Sequence, residues 1–125
     1  MVVHSEDGLD EISIAAPTHV AELKDGVVKT YTITPEDFSM QRQALDSLIV
    51  DSASESPEKI QQVLANQAGP ERDIICLNSG AAIYVAGLAD SHQAGVAKAQ
   101  QLIAEGAAAA VFERLIAFTN KAAAE

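Results

Sequence analysis

The chain has 125 residues, 48% of them apolar, and 18 acidic against 8 basic side chains give it a net charge of −10. That length suits one domain, and a mean hydropathy of +0.09 excludes a disordered acidic tail. The negative charge argues against nucleic acid as a partner, and no apolar stretch reaches the ~18–20 residues of a membrane span.

No basic segment followed by an apolar one opens the chain, so a secretory leader is not expected. One cysteine, Cys76, and three histidines leave neither an internal disulfide nor a Cys/His zinc framework. The expectation is a soluble, cytoplasmic chain with no membrane partner.

The elements read in order as strands and then helices. Met1–His4 reads as the end of a strand, and Ser5-Glu6-Asp7-Gly8 as a polar loop. Between Ile12 and Ile33, nine of 22 residues are Ile, Val or Thr, which suit a pleated surface. Ile12–Ala15 and Thr18–Leu23 are both strand-like, with Pro17 interrupting them. Lys24-Asp25-Gly26 is a turn signal, so Thr18–Ile33 is predicted to be a hairpin.

Helix starts follow at Thr34-Pro35-Glu36-Asp37 and Ser56-Pro57-Glu58, each a hydroxyl, a proline and an acid. The second opens a helix with Ile60, Val63 and Leu64 on one face and Gly69 as its stop. Gln41–Glu55 carries no clear pattern. Asp73–Asp90 is apolar or small nearly all round, which describes a buried helix. Ser91 caps a helix ending near Gly106, and Ala107–Ala123 forms a last one with Val111, Leu115 and Phe118 in a stripe. From Ala81 to Glu125 there are 16 alanines in 45 residues, and alanine is the best helix former.

Four groups of residues could carry chemistry. Asp7-Gly8-Leu9-Asp10-Glu11 sets three carboxylates around a glycine. Hard oxygens of this kind suit Mg²⁺, which takes one or two carboxylates and fills its other positions with phosphate and water. Adjacent residues of a regular strand point to opposite faces, so Asp10 and Glu11 can share an ion only from irregular backbone. The same loop also reads as a solvated acidic turn. His4, His19 and His92 lack ligand spacing, and Cys76 within Ile74-Ile75-Cys76-Leu77 reads as a buried apolar residue. Asn78-Ser79-Gly80-Ala81-Ala82 has no phosphate-loop pattern and reads as a small-residue patch where helices meet.

Val2-Val3-His4 followed by Asp7-Gly8-Leu9-Asp10-Glu11-Ile12-Ser13 resembles the strand-and-loop signature of the anthranilate phosphoribosyltransferase family. The resemblance continues through Pro17–Leu23, Tyr31–Phe38, Gly69-Pro70, Arg72-Asp73-Ile74, Leu77-Asn78, Gly80–Leu88, Gly95-Val96 and Ala117-Phe118-Thr119. It is weakest over Gln41–Gln67, and Ser5 stands where members commonly have glycine. It implies an α/β fold, the C-terminal portion of the nucleoside phosphorylase/phosphoribosyltransferase catalytic domain, with strands and a hairpin followed by a helical half. The implied activity is transfer of 5-phosphoribosyl from phosphoribosyl pyrophosphate to anthranilate in tryptophan biosynthesis.

In that family the adjacent acids hold magnesium, which here implies Asp10 and Glu11 as metal residues and Mg²⁺ as cofactor. Asp7 is expected to matter less. The family's N-terminal helical domain and its Gly-Thr-Gly-Gly-Asp pyrophosphate loop have no counterpart in residues 1–125. The expectation is therefore a truncated chain or one half of a split protein, silent alone, with no catalytic residue of its own. It would pair with a missing N-terminal portion or form a homo-oligomer. Three alternatives stand beside it: a pyrimidine nucleoside phosphorylase relative, which the Gly-Leu-Asp-Glu-Ile-Ser word disfavours, a nucleic-acid-binding branch, which the net charge of −10 disfavours, and a non-catalytic assembly module.

Overall fold

A computed structural model describes residues 1–122. Strands β1 (Val2–Ser5), β2 (Thr18–Lys24) and β3 (Val27–Ile33) form an antiparallel sheet in that order. Thr18 faces both Ser5 and Ile33 across the ladders, and Val20 faces both Val3 and Tyr31. The predicted hairpin is present. Asp25 and Gly26 turn it with φ of 52° and 76°, the doubly positive geometry whose twist matches the strands. Only Ile33 of β3 is buried, so that strand is an exposed edge.

Ile12–Ala15 is not a strand, contrary to its composition. Its N–H groups at Ile12, Ser13 and Ala15 bond to side chains instead of to a ladder. The Ile12 N–H donates to Asn78 Oδ1 at 2.9 Å, the Ser13 N–H to Thr18 Oγ1 at 3.1 Å, and the Ala15 N–H to Ser13 Oγ at 2.9 Å. β-branched content reported burial here, since Ile12 and Ile14 are in the core, and not a pleat.

The helices are α1 (Glu55–Leu64), α2 (Pro70–Val85), α3 (His92–Ala104) and α4 (Ala107–Ala122). The predicted start at Thr34 yields only a short 3-10 turn over Pro35–Phe38. Asp37 Oδ2 accepts the Thr34 N–H at 2.7 Å, and Ser39, at φ 59°, ends the turn. A second such turn, Asp46–Leu48, lies in the patternless segment. α1 begins at Glu55, so Ser56 and Pro57 sit inside its first turn, where a missing N–H costs nothing. It ends before Asn66, at φ 59°, and Gly69 instead precedes Pro70, the first residue of α2. Ser91 caps α3 as expected, its hydroxyl accepting the Ala94 N–H at 3.1 Å. Ala123, the expected last residue of α4, lies outside the described residues.

The core joins the Ile12–Ile14 segment and Val20 to Cys76 and Leu77 of α2 and Val96 of α3. α2 is buried through Cys76, Leu77, Gly80 and Ala81, but Val85 is 57% exposed, so it is covered on one side only. The stripe on α4 also faces outward, with Phe118 73% exposed. Periodicity tells which residues share a face, not whether anything covers it.

α2 and α3 meet at two glycines. A Cβ at Gly80 would lie 2.6 Å from the Val96 nitrogen, and one at Gly95 would overlap the Gly80 carbonyl oxygen. The small-residue patch is thus a close helix crossing, as read from the sequence.

Candidate metal-binding loop

Strand β1 runs into the acidic loop at Ser5, which is fully buried. The chain folds back on itself at once. The Gly8 N–H donates to the Ser5 carbonyl at 3.0 Å and the Ser5 N–H to the Leu9 carbonyl at 3.1 Å. Gly8 takes a φ of 92°, which a residue with a side chain rarely adopts. This turn is the irregular backbone that adjacent carboxylates need in order to reach one ion.

The three acids have different surroundings. Asp7 is exposed but turns back onto its own loop, where it accepts hydrogen bonds from the Ser5 hydroxyl, from the Ser13 hydroxyl at 2.5 Å and from the Leu9 N–H at 3.3 Å. Its slight desolvation pushes the carboxyl up, but the Ser13, Ser5 and Leu9 bonds outweigh this and hold it below the usual range. Asp7 is committed to the loop. Asp10 and Glu11 are exposed as well, but among the described residues neither carboxylate enters a hydrogen bond or an ion pair.

They border a groove of about 630 Å³ walled by Leu9, Leu45, Ile60 and Ile74. Lys59 also lines it and pairs with Glu71 at 3.1 Å. Two free carboxylates on an open loop fit Mg²⁺ in its usual mode, with phosphate oxygens and water completing the shell. They do not fit a closed protein cage. No group of three or more His, Cys, Asp or Glu gathers for a metal among the described residues.

The other candidates fall to structural roles or to the surface. His4 and His19 face each other across β1 and β2, a pairing their sequence separation hid. His19 Nε2 lies 3.3 Å from Glu6 Oε1 on the exposed surface. Cys76 is fully buried, and burial pushes its thiol up, away from the reactive thiolate. Sequence reading missed the tie between hairpin and α2. Tyr84 and Tyr31 hydroxyls donate to Glu22 at 2.6 and 2.9 Å, and Lys24 Nζ donates to Tyr84 Oη at 3.0 Å. Desolvation, with the Glu22 charge beside it, pushes the Tyr31 hydroxyl up to about 12.

His92 is buried edge-on against Phe38, ring centroids 4.3 Å apart, and its Nε2–H donates to the Leu77 carbonyl at 2.9 Å. Burial lowers its pKa from the ordinary 6.5, against the raising effect of the Leu77 bond. Below pH 6.5 the unfolded chain therefore takes up this proton before the folded one does. The stability that neutral His92 contributes is complete above pH 6.5 and is lost as pH falls toward the lowered folded value. Urea midpoints at pH 7.5 and 5.5 should differ in the wild type and converge in His92→Gln. Asp7, Glu22 and Glu71, all held below their ordinary values, add a separate loss at more acidic pH.

Residues 1–109 match the family model of the glycosyl transferase family, a/b domain. The chain belongs to this family. Within the glycosyl transferase family it is similar to the anthranilate phosphoribosyltransferase of Methylococcus capsulatus, 52% identical over 124 residues, covering 99% of this chain and 36% of the relative. The enzyme of the same name from Thioalkalivibrio sulfidiphilus is 54% identical over 119 residues, 95% of this chain and 35% of its own length.

Among solved structures, the anthranilate phosphoribosyltransferase of Thermus thermophilus superposes with a TM-score of 0.82 at 33% identity, over 93% of this chain and 34% of that one. The Saccharomyces cerevisiae protein in complex with phosphoribosyl pyrophosphate and magnesium shares the fold, with a TM-score of 0.72 at 23% identity over 83% and 30% of the two chains. The chain thus spans about a third of the length of the relatives it matches. The expected α/β fold, strands and hairpin followed by helices, is the one observed. No helix among the described residues is long and apolar enough to cross a membrane.

Proposed function

We propose that these residues form the C-terminal third of an anthranilate phosphoribosyltransferase, and that Asp10 and Glu11 are its magnesium-holding carboxylates. The observation that carries the reading is the free carboxylate pair on a glycine-turned loop, within a chain half identical to enzymes of that name. The reaction breaks the bond from ribose C1 to the pyrophosphate oxygen and forms one from C1 to the anthranilate nitrogen. The amine gives up a proton and pyrophosphate leaves. Magnesium, when bound, supplies charge neutralisation on the departing diphosphate.

This chain's contribution is positional and electrostatic. Gly8 turns the backbone, Asp7 holds the turn through Ser5 and Ser13, and Asp10 and Glu11 present charged oxygens at the rim of the groove. Such a site acts by fixing charge in place before the reaction begins. The helical domain, the loop that cradles pyrophosphate and the anthranilate pocket are assigned in this reading to residues beyond these 125. A cytoplasmic location belongs to the same reading, and the single buried thiol, Cys76, fits a reducing compartment.

The test is reconstitution. Replacing the matching third of the Methylococcus capsulatus enzyme with this chain should leave phosphoribosyl-anthranilate formation intact. The isolated chain, given phosphoribosyl pyrophosphate, anthranilate and Mg²⁺, should form none above background. A folded but inactive graft would overturn the reading. Turnover by the isolated chain would overturn the division of labour.

A further inference from the structure

The acidic loop is anchored at both ends, and the anchor on its far side comes from another part of the fold. Directly after Glu11, the Ile12 N–H donates to Asn78 Oδ1 at 2.9 Å, and Asn78 Nδ2 donates back to the Ile12 carbonyl at 2.9 Å. The two residues are 66 positions apart. Asn78 Nδ2 also donates to the Ile74 carbonyl of its own helix at 3.0 Å, which holds the amide in one rotamer. Ile12 is 2% exposed, so water offers its backbone little in exchange, and an unpaired buried peptide group is costly. The amide does for Ile12 what a neighbouring strand would do, without requiring a strand.

We propose that Asn78 is a positioning residue for the Asp10–Glu11 pair. It acts through the Ile12 peptide and touches neither the ion nor the substrate. The proposal rests on the magnesium reading of that pair. A donor and an acceptor on one planar group, at that reach, are what asparagine offers. Aspartate would set a carboxylate against the Ile12 carbonyl, and leucine would fill the space while pairing neither group. With Asn78 in place, the peptide joining Glu11 to Ile12 is fixed to α2 as Asp7 fixes the other side of the turn. Both carboxylates then start from a restricted set of positions, and supporting groups of this kind set metal affinity.

A merely structural asparagine would change stability and leave metal affinity alone, so affinity is the readout. Mn²⁺ takes the same hard oxygen ligands as Mg²⁺, and its free fraction can be followed by electron paramagnetic resonance. Binding is measured on these residues grafted into the Methylococcus capsulatus enzyme, with Mn²⁺ alone and with Mn²⁺ plus phosphoribosyl pyrophosphate. Asn78→Leu should weaken Mn²⁺ affinity about 10-fold or more with the helical circular dichroism signal retained. Asn78→Gln keeps both groups but shifts them by one methylene, and should fall between Asn78→Leu and the wild type.

If Asp10→Asn with Glu11→Gln loses Mn²⁺ while a folded Asn78→Leu binds it like the wild type, the positioning role is overturned and the metal reading stands. If the double variant still binds like the wild type, or the wild type binds none, the metal reading falls and this proposal with it. Should Asn78→Leu lose its helical signal, Asn78→Gln carries the test, and wild-type affinity in it overturns the proposal.

Discussion

Gly95→Ala should be the most destabilising of the glycine-to-alanine substitutions in this chain. The new Cβ would overlap the Gly80 carbonyl oxygen, with the Gly80 carbonyl carbon 3.0 Å away. The obstruction is backbone of α2, not the end of a flexible side chain, so α3 must move. Its shift would pull on Val96, Ala99 and Ile103, all buried, and on the Leu77 carbonyl that holds His92. Overpacking of this kind costs about 1–3 kcal/mol and sometimes more, against a total stability of about 5–15 kcal/mol for a typical domain.

Gly80→Ala should behave similarly, because its Cβ would lie 2.6 Å from the Val96 nitrogen and 2.5 Å from Val96 Cγ2. Gly8→Ala is the contrast. Nothing lies within 4 Å of its Cβ, so only the φ of 92° is strained. Urea denaturation should rank the two crossing glycines well above Gly8. Equal midpoints for Gly95→Ala and the wild type would mean that the helices do not cross this closely.

The double substitution Asp10→Asn with Glu11→Gln should have the largest effect on function and almost none on folding. Both side chains are exposed and make no hydrogen bond or ion pair among the described residues. Their neutral isosteres should therefore change stability by no more than about 0.5 kcal/mol. What is lost is charge. An amide oxygen is a weaker ligand for a hard dication, and phosphate oxygens would be left to hold the metal without protein charge beside them.

Loss of a supporting group alone costs about 10–100-fold in metal affinity, and loss of two ligands should reach at least the upper end of that range. In the grafted enzyme, half-maximal turnover should need correspondingly more Mg²⁺, with turnover slower even at saturation. Asp7→Asn keeps two of the three acids and should shift the requirement less. A double variant with wild-type magnesium dependence and wild-type turnover would remove these carboxylates from the site.

What the sequence by itself determined about this chain is what lies within a few residues of the atoms concerned. Asp25-Gly26 supplies its own positive φ values and so announces the hairpin. Ser91 bonds the N–H three residues on, and an alanine-rich half becomes helix because alanine loses least on ordering. The family likeness was legible for a similar reason. The loop from Asp7 to Glu11 is contiguous, so its residues can be read together as one word.

The tertiary structure decided what depends on residues far apart. Ile12–Ala15 has strand composition and is not a strand, because Asn78 and Thr18 side chains take its backbone bonds. The acids of one loop look alike in the sequence, yet Ser13 claims Asp7 and leaves Asp10 and Glu11 free. The stripe on α4 has the spacing of a core face and lies open. Local pattern specifies which groups can pair or pack. Which of them do is settled by the partners the fold brings within about 3 Å for a hydrogen bond or about 4 Å for apolar contact.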